Sequence, residues 1–233
     1  MSGEQFHFVF PEPDLPLEAF FFGDEGAASV RVLRLWQDWP KQCLALTGPD
    51  RSGVTAVLKS WASETGARYL TPAEFMKSDA KEIADLLSTP VALDDVEHVT
   101  PSNSVLTFLN LAREQQQSVL LGGHGNPRRW HKTPPDLVSR LSAVTRLVMP
   151  VLDDDSFDKR LRAACQRRYI DLPEETLKFL RLRLERSYAA IETFAERLDA
   201  IMGTQNRPAS VPVARGILAS MNPTDDEPFQ ETD

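Results

Sequence analysis

The sequence predicts an α/β fold: a three-layer domain built on a five-stranded parallel sheet, followed by a small all-helical domain. Three observations predict it. Short continuous apolar runs alternate with helix-patterned stretches over the first 150 residues, as expected of strands covered on both faces. A glycine-bearing turn, Gly48–Thr55, joins the first of these runs to a helix. After Pro150 the strand pattern stops, and apolar residues recur only at helical spacing.

The elements follow in order. The N-terminal stretch "EQFHFVFPEPDLPLEAFFFG" carries Pro11, Pro13 and Pro16 and reads as an extended, aromatic-rich arm. Val30, Leu33 and Leu35 or Trp36 then recur at helical spacing between Ala27 and Trp39. "CLALT" (43–47), "RYLT" (68–71), "VALDD" (91–95), "SVLLGG" (118–123) and "TRLVMP" (145–150) are the five predicted strands. Helices are expected over 55–65, 80–87 and 103–116 between them. A further helix is expected at 156–168. Pro173 opens a long helical region whose first turn carries Glu174 and Glu175, favourable at the positive end of the helix dipole. Leu177, Leu180, Leu184, Ile191, Phe194 and Leu198 supply its buried face, and "VPVARGILAS" (211–220) is a last short helix. The expected boundaries are an arm at 1–16, an α/β core at 17–152, a helical domain at 153–220 and an acidic, disordered tail at 221–233.

The bulk composition excludes some classes. With 42% hydrophobic and 26% charged residues the chain is an ordinary soluble protein, and no run of 18 apolar residues suggests a membrane span. There is no basic-then-apolar leader. The two cysteines, Cys43 and Cys165, are far apart and fit neither a disulfide framework nor a metal spacing, so a cytoplasmic location is expected. The net charge of -8 conceals an uneven distribution. Six acids fall in residues 1–25 and five in 221–233, with no Lys or Arg in either, so 23 acids face 26 bases in between. That mildly basic body lacks a concentrated basic stripe, and direct DNA binding is not expected.

Gly48-Pro49-Asp50-Arg51-Ser52-Gly53-Val54-Thr55 matches the phosphate-loop pattern G-x-x-x-x-G-K-[ST] at every defined position but one: Val54 stands where the lysine should. Such a loop offers backbone N–H groups and a helix N-terminus to a phosphate. Gly48, Pro49, Ser52, Gly53 and Val54 are the candidate phosphate-contacting residues, and Thr55 is placed to reach Mg²⁺. Asp94 and Asp95, 39 residues beyond Thr55 at the end of an apolar run, are the acids that could hold the ion. The same features also occur as a plain strand–helix connection and a helix cap. Loss of the lysine removes a charged contact of about 1.5–3 kcal/mol, a weakening of roughly ten- to a hundred-fold. ADP is therefore a better candidate ligand than ATP, and self-catalysed hydrolysis is not expected. "HGNPRRWH" holds two histidines without a carboxylate or cysteine at ligand spacing, so no metal site is expected there. Its Arg-Arg-Trp stretch reads as a loop at a protomer interface.

Six segments together resemble the AAA+ family and, within it, the DnaA/Hda branch of replication regulators. "LTGPDRSGVT" is similar to the Walker A loop, "VALDDVEHV" to Walker B and "LLGGHGNP" to the sensor 1 strand, with His124 near its polar residue. "PPDLVSRLSAV" resembles the box that carries the arginine finger, here Arg140. "LPEETLKFLRLRLERSYAAIETFAERLDAI" and "VPVARGIL" resemble the helical lid, with Arg186 in the sensor 2 position. The resemblance spans about residues 17–219. It implies a regulator of replication initiation with two partners. Gln5, Phe6 and Phe8 of the arm would dock on the DNA polymerase sliding clamp, as an extended peptide with aromatic anchors can. Arg140 would act in trans on ATP held by the DnaA initiator, promoting its hydrolysis. The helix-turn-helix domain that DnaA carries after its lid has no counterpart in this sequence. Two alternatives stay open: a self-assembling ATP-dependent enzyme in which Arg51 replaces the lysine, and an AAA+ remnant that binds partners without affecting turnover.

Overall fold

A computed structural model describes residues 15–21, 23–205 and 208–221. Gln5, Phe6 and Phe8 of the expected clamp-binding arm, and the acidic tail from Asn222 onward, lie outside these described residues. The chain forms two units, residues 1–47 with 54–148 and residues 48–53 with 149–233.

The first unit is the α/β layer structure. Its strands are β1 (Cys43–Gly48), β2 (Arg68–Leu70), β3 (Val91–Leu93), β4 (Val119–His124) and β5 (Thr145–Val148), and its helices α1 (Gly23–Arg34), α2 (Val54–Thr65), α3 (Pro72–Phe75), α4 (Ala80–Leu86), α5 (Ser102–Glu114) and α6 (Pro135–Ser142). The five strands form one sheet in the order β2-β3-β4-β1-β5. β3 is parallel to β2 and β4, with Val91 opposite Arg68 and Val119, and β1 is parallel to β5, with Leu44 opposite Thr145. This is the α/β class that the alternating pattern predicts.

Burial explains why that pattern was legible. Leu44–Leu46, Val91–Leu93 and Val119–Leu121 are all inaccessible to solvent, because the central strands are covered on both faces. β5 departs from the expectation of a buried run: Thr145, Arg146 and Val148 are exposed, since β5 closes the sheet edge and has a neighbour on one side only. Arg146 uses that position to donate from Nε to the Thr47 hydroxyl at 2.6 Å.

A core of aliphatic residues around the edge-to-face pair Phe75–Phe108 fills one side of the sheet. Three tryptophans form a second anchor. Trp61 on α2 is fully buried, stacks on Trp39 at 5.4 Å and meets Trp36 edge-on at 6.5 Å. Its indole N–H donates to the Leu33 carbonyl at the end of α1 (3.0 Å). Nearby, Glu64 accepts from the Leu17 backbone N–H (2.9 Å) and from Arg34, fixing the entering chain against α1 and α2.

The second unit holds α7 (Asp154–Gln166), α8 (Glu174–Arg181), α9 (Tyr188–Gln205) and α10 (Val211–Met221). The expected long helical region after Pro173 is two helices, broken over residues 182–187. Leucines continue at helical spacing across the break, which conceals it in the sequence. The restart is set by Ser187, whose hydroxyl accepts from the Ala190 backbone N–H at 3.1 Å in the manner of an N-cap. α7 begins at Asp154 rather than Ser156 because Asp153 caps it, accepting from the Ser156 N–H at 2.8 Å. Inside the unit, the buried Arg160 lies 5.3 Å from the Tyr188 ring and donates to Glu192 at 2.7 Å.

Replacing Trp61 by Ala removes the stacked ring, its hydrogen bond and its volume at once. The expected loss is about 3–5 kcal/mol, read as a lower midpoint in urea unfolding followed by far-UV circular dichroism.

Candidate functional site

The phosphate-loop segment leaves the carboxyl end of β1. Gly53 has φ +93°, a left-handed conformation in which a side chain would be strained, and a Cβ there would approach the Tyr188 ring at 3.3 Å. A Cβ on Gly48 would fall 2.1 Å from the Ser52 Oγ. The Ser52 hydroxyl is buried and has no hydrogen-bond partner among the described residues. Pro49 closes the turn, its carbonyl accepting from the Ser52 N–H at 3.1 Å. Val54 is buried at 5% exposure, so the lysine position of the motif is an apolar packing position. Thr55 is exposed on the first turn of α2. Arg51 pairs with Glu185 at 3.5 Å, both side chains being largely exposed. Burial pushes the Tyr188 phenol up to about 12, with Arg160 opposing the shift.

The acids emerge at the carboxyl end of β3. Asp94 is 2% exposed, and its carboxylate accepts from the Tyr69 hydroxyl at 2.8 Å and the Asp95 backbone N–H at 3.0 Å. Burial, reinforced by this carboxylate, holds the Tyr69 phenol well above its ordinary range. Asp95 sits in the left-handed region with φ 42°. Partial burial, then the neighbouring Asp94 and Glu97 charges, raises its carboxyl pKa.

The next strand completes the group. β4 neighbours β3 and ends at His124, whose backbone N–H donates to Glu97 Oε1 and whose Nδ1 is hydrogen-bonded to the same oxygen, both at 2.8 Å. The ring also stands 3.8 Å from Asp95. The structure thus brings Asp94, Asp95 and His124 together at one sheet edge. It adds Glu97 and Tyr69, which the motif reading missed. Glu97 lay inside the quoted "VALDDVEHV", but only the spatial pairing of β3 with β4 gives it a role.

The paired glycines before His124 have a steric reason. A Cβ on Gly122 would meet Leu58 at 2.6 Å and Asp94 Oδ1 at 2.9 Å, and one on Gly123 would meet Glu97 Oε2 at 2.3 Å. Asp95, Glu97 and His98 each place one ligand-type atom within 4.8 Å of the others, a closeness that the spacing of the histidines does not show. Within the segment read as an interface loop, Arg128 and Arg129 are exposed, whereas Trp130 is 6% exposed and its indole donates to the His124 carbonyl at 2.7 Å. His131 is buried against the Val96 carbonyl at 3.0 Å.

Two arginines lie elsewhere. Arg140, half-buried on α6, stands beside residues 40–43 and Val144, at the amino ends of β1 and β5. That is the sheet edge opposite Asp94 and His124. Arg186 belongs to the second unit, in the break between α8 and α9, where it pairs with Asp154 and reaches the Leu152 carbonyl at 3.5 Å.

No family model matches the chain. Among solved structures, domain III of the replication initiation protein DnaA from Thermotoga maritima is similar over 90% of this chain and 97% of that one, with a TM-score of 0.76 at 17% identity. AMPPCP-bound DnaA from Aquifex aeolicus is similar over 83% of this chain and 67% of that one (TM-score 0.67, 17% identity). The RuvB Holliday junction branch migration motor of Thermotoga maritima is similar over 86% and 70% (TM-score 0.64, 13% identity). At these identities the likeness establishes the fold, a parallel α/β domain like that of DnaA domain III. No helix among the described residues is long and apolar enough to cross a membrane.

The raised Asp95 pKa has a definite sign. The folded chain holds this proton more tightly than the unfolded one, so ionising Asp95 opposes folding as pH rises through its folded pKa. Asp95→Asn is expected to raise the melting temperature at neutral pH, and Asn also tolerates the left-handed backbone. The gain should vanish below the ordinary carboxylate range, as measured by thermal unfolding across pH.

Proposed function

We propose that the chain is a DnaA-related regulator of replication initiation that stimulates ATP hydrolysis by DnaA through Arg140, while hydrolysing little or none itself. The observation that carries this reading is the placement of charge. Val54 is buried where a phosphate-holding lysine would stand, and Arg140 lies on the sheet edge opposite Asp94 and His124. A guanidinium at the opposite end of the strands from Asp94 supports an action on phosphate held by a neighbour rather than in its own chain. The similarity of the fold to DnaA domain III supports a role related to replication initiation.

The loop residues fit a diphosphate better than a triphosphate. The unpartnered Ser52 hydroxyl and the close turn at Gly48 and Gly53 suit an anion held by backbone N–H groups. Gly48, Pro49, Ser52, Gly53 and Val54 would hold ADP, and Thr55 with Asp94 would hold Mg²⁺. The ion would neutralise phosphate charge when bound. His124 and Arg186 are the polar groups that would report the state of the nucleotide. Arg51 is already engaged with Glu185, which weighs against its replacing the lysine in an independent ATPase. Gln5, Phe6 and Phe8 would bind the sliding clamp and so restrict the activity to clamp-loaded DNA.

The test is ATP turnover by the cognate DnaA on clamp-loaded DNA, with and without this chain. Arg140→Ala should abolish the stimulation, for which arginine fingers supply about 10³–10⁵-fold, and leave clamp retention intact. Gln5→Ala with Phe8→Ala should remove clamp retention and stimulation together. No acceleration at saturating protein would sink the proposal and leave a partner-binding AAA+ remnant. Separately, Val54→Lys should tighten ATP binding by about ten- to a hundred-fold in a fluorescent-nucleotide titration, the reverse of the missing charged contact.

A further inference from the structure

Away from the acid-bearing edge, at the amino end of β1, the first unit contains a cavity of about 230 Å³. Its floor is apolar: Leu109 and Ala112 from α5, Leu141 from α6, and Val144. Its rim is cationic. Lys41, Arg113 and Arg140 all line it, no acid does, and none of the three pairs with a carboxylate among the described residues. Arginines elsewhere, such as Arg34, Arg162 and Arg181, are neutralised by nearby Glu or Asp.

Two further features mark the same place. Lys41 and Gln42 are consecutive non-glycine residues in the left-handed region, with φ 57° and 59°. Such conformations are costly and persist where the surroundings enforce them. The Gln42 Oε1 atom is buried and has no hydrogen-bond partner among the described residues. Burial also pushes the Cys43 thiol up to about 12, so the wall beside Gln42 carries a neutral, unreactive group.

We propose that this cavity binds an acidic peptide segment of a partner protein, which inserts one large apolar side chain and lays its carboxylates on Lys41, Arg113 and Arg140. Size and charge select this occupant. The volume is below the roughly 300–1,000 Å³ typical of whole small-molecule ligands, yet it suits a single aromatic or aliphatic anchor. Three unpaired cations around an apolar floor favour carboxylates beside the anchor and disfavour a neutral or basic segment. The site stands on its own geometry and does not depend on the action proposed for Arg140, although an occupant would cover that side chain.

The test is calorimetric titration of the full chain at low salt with a synthetic peptide, Asp-Asp-Glu-Phe-Glu-Asp-Asp. Binding is expected, and it should weaken about tenfold when the peptide Phe is replaced by Ala. It should weaken by a similar factor in the Lys41→Glu, Arg113→Glu double variant, both exposed positions where folding is not at stake. Val144→Trp, which fills the cavity and leaves every charge in place, should weaken it too. In ¹H–¹⁵N spectra the peptide should shift the amides of Cys43, Ala112 and Val144. No binding at millimolar peptide, binding indifferent to the Phe, or binding undiminished in the charge-reversed double variant would each overturn the proposal. Shifts confined to other surfaces would do so as well.

Discussion

Parallel strands covered on both faces leave nowhere inside for an unpaired polar group, and most of the chemistry in this protein follows from that. β1, β3 and β4 are apolar and sealed through their centres, so side chains that carry charge can emerge only where the strands end. Asp94 is the clearest case. Its carboxylate is almost wholly buried, and it survives there because Tyr69 and the Asp95 backbone N–H each donate to it. The hydrogen bond from Tyr69 ties β2 to the end of β3. Glu97 and His124 likewise tie the turn after β3 to the end of β4. The polar edge is therefore built from paired groups, with Glu97 Oε2 buried and without a hydrogen-bond partner among the described residues, and its geometry is inherited from strand order.

The same need for satisfaction separates the arginines. Arg186 is engaged with Asp154, and Arg51 with Glu185. Glu192 accepts from Arg160, Arg167 and Arg168 together. Such pairs orient helices and loops, and the exposed ones add little stability. Lys41, Arg113 and Arg140 gather instead around an apolar cavity whose lining holds no acid. Positive charge in search of an anion is concentrated at the amino edge of the sheet, opposite the edge where Asp94, Asp95 and Glu97 accumulate. That polarity underlies both the trans action proposed for Arg140 and the peptide site beside it.

The loop after β1 combines the tight glycine turn of the phosphate-loop pattern with an apolar residue at its lysine position. Its glycines meet the same steric demands as in a working phosphate loop: close approach at Gly48 and a left-handed backbone at Gly53. Val54 meets a different demand, because that position points into the packing and a valine fits it. Shape and charge were thus separable. The backbone cradle depends on the turn, whereas holding an outer phosphate depends on one cation that is missing.

The sequence by itself determined the class of the fold, because buried parallel strands must be continuous apolar runs and helices must show their period. It also determined the loop and the paired acids, which are local in the chain, and the substitution at Val54. It did not reveal the exposed character of β5, the break before Tyr188 or the burial of Trp130. A strand's place in the sheet, a cap formed by Ser187 and the partner of an indole N–H are decided by neighbours distant in sequence. The pairing of Glu97 with His124, and of Tyr69 with Asp94, arises for the same reason: strand order brings together residues 25 and 27 positions apart. The placement of Arg140 beside Lys41 and Arg113 was also decided only by tertiary structure, since the chain must close β1, α5 and α6 on one another before three scattered cations become one site.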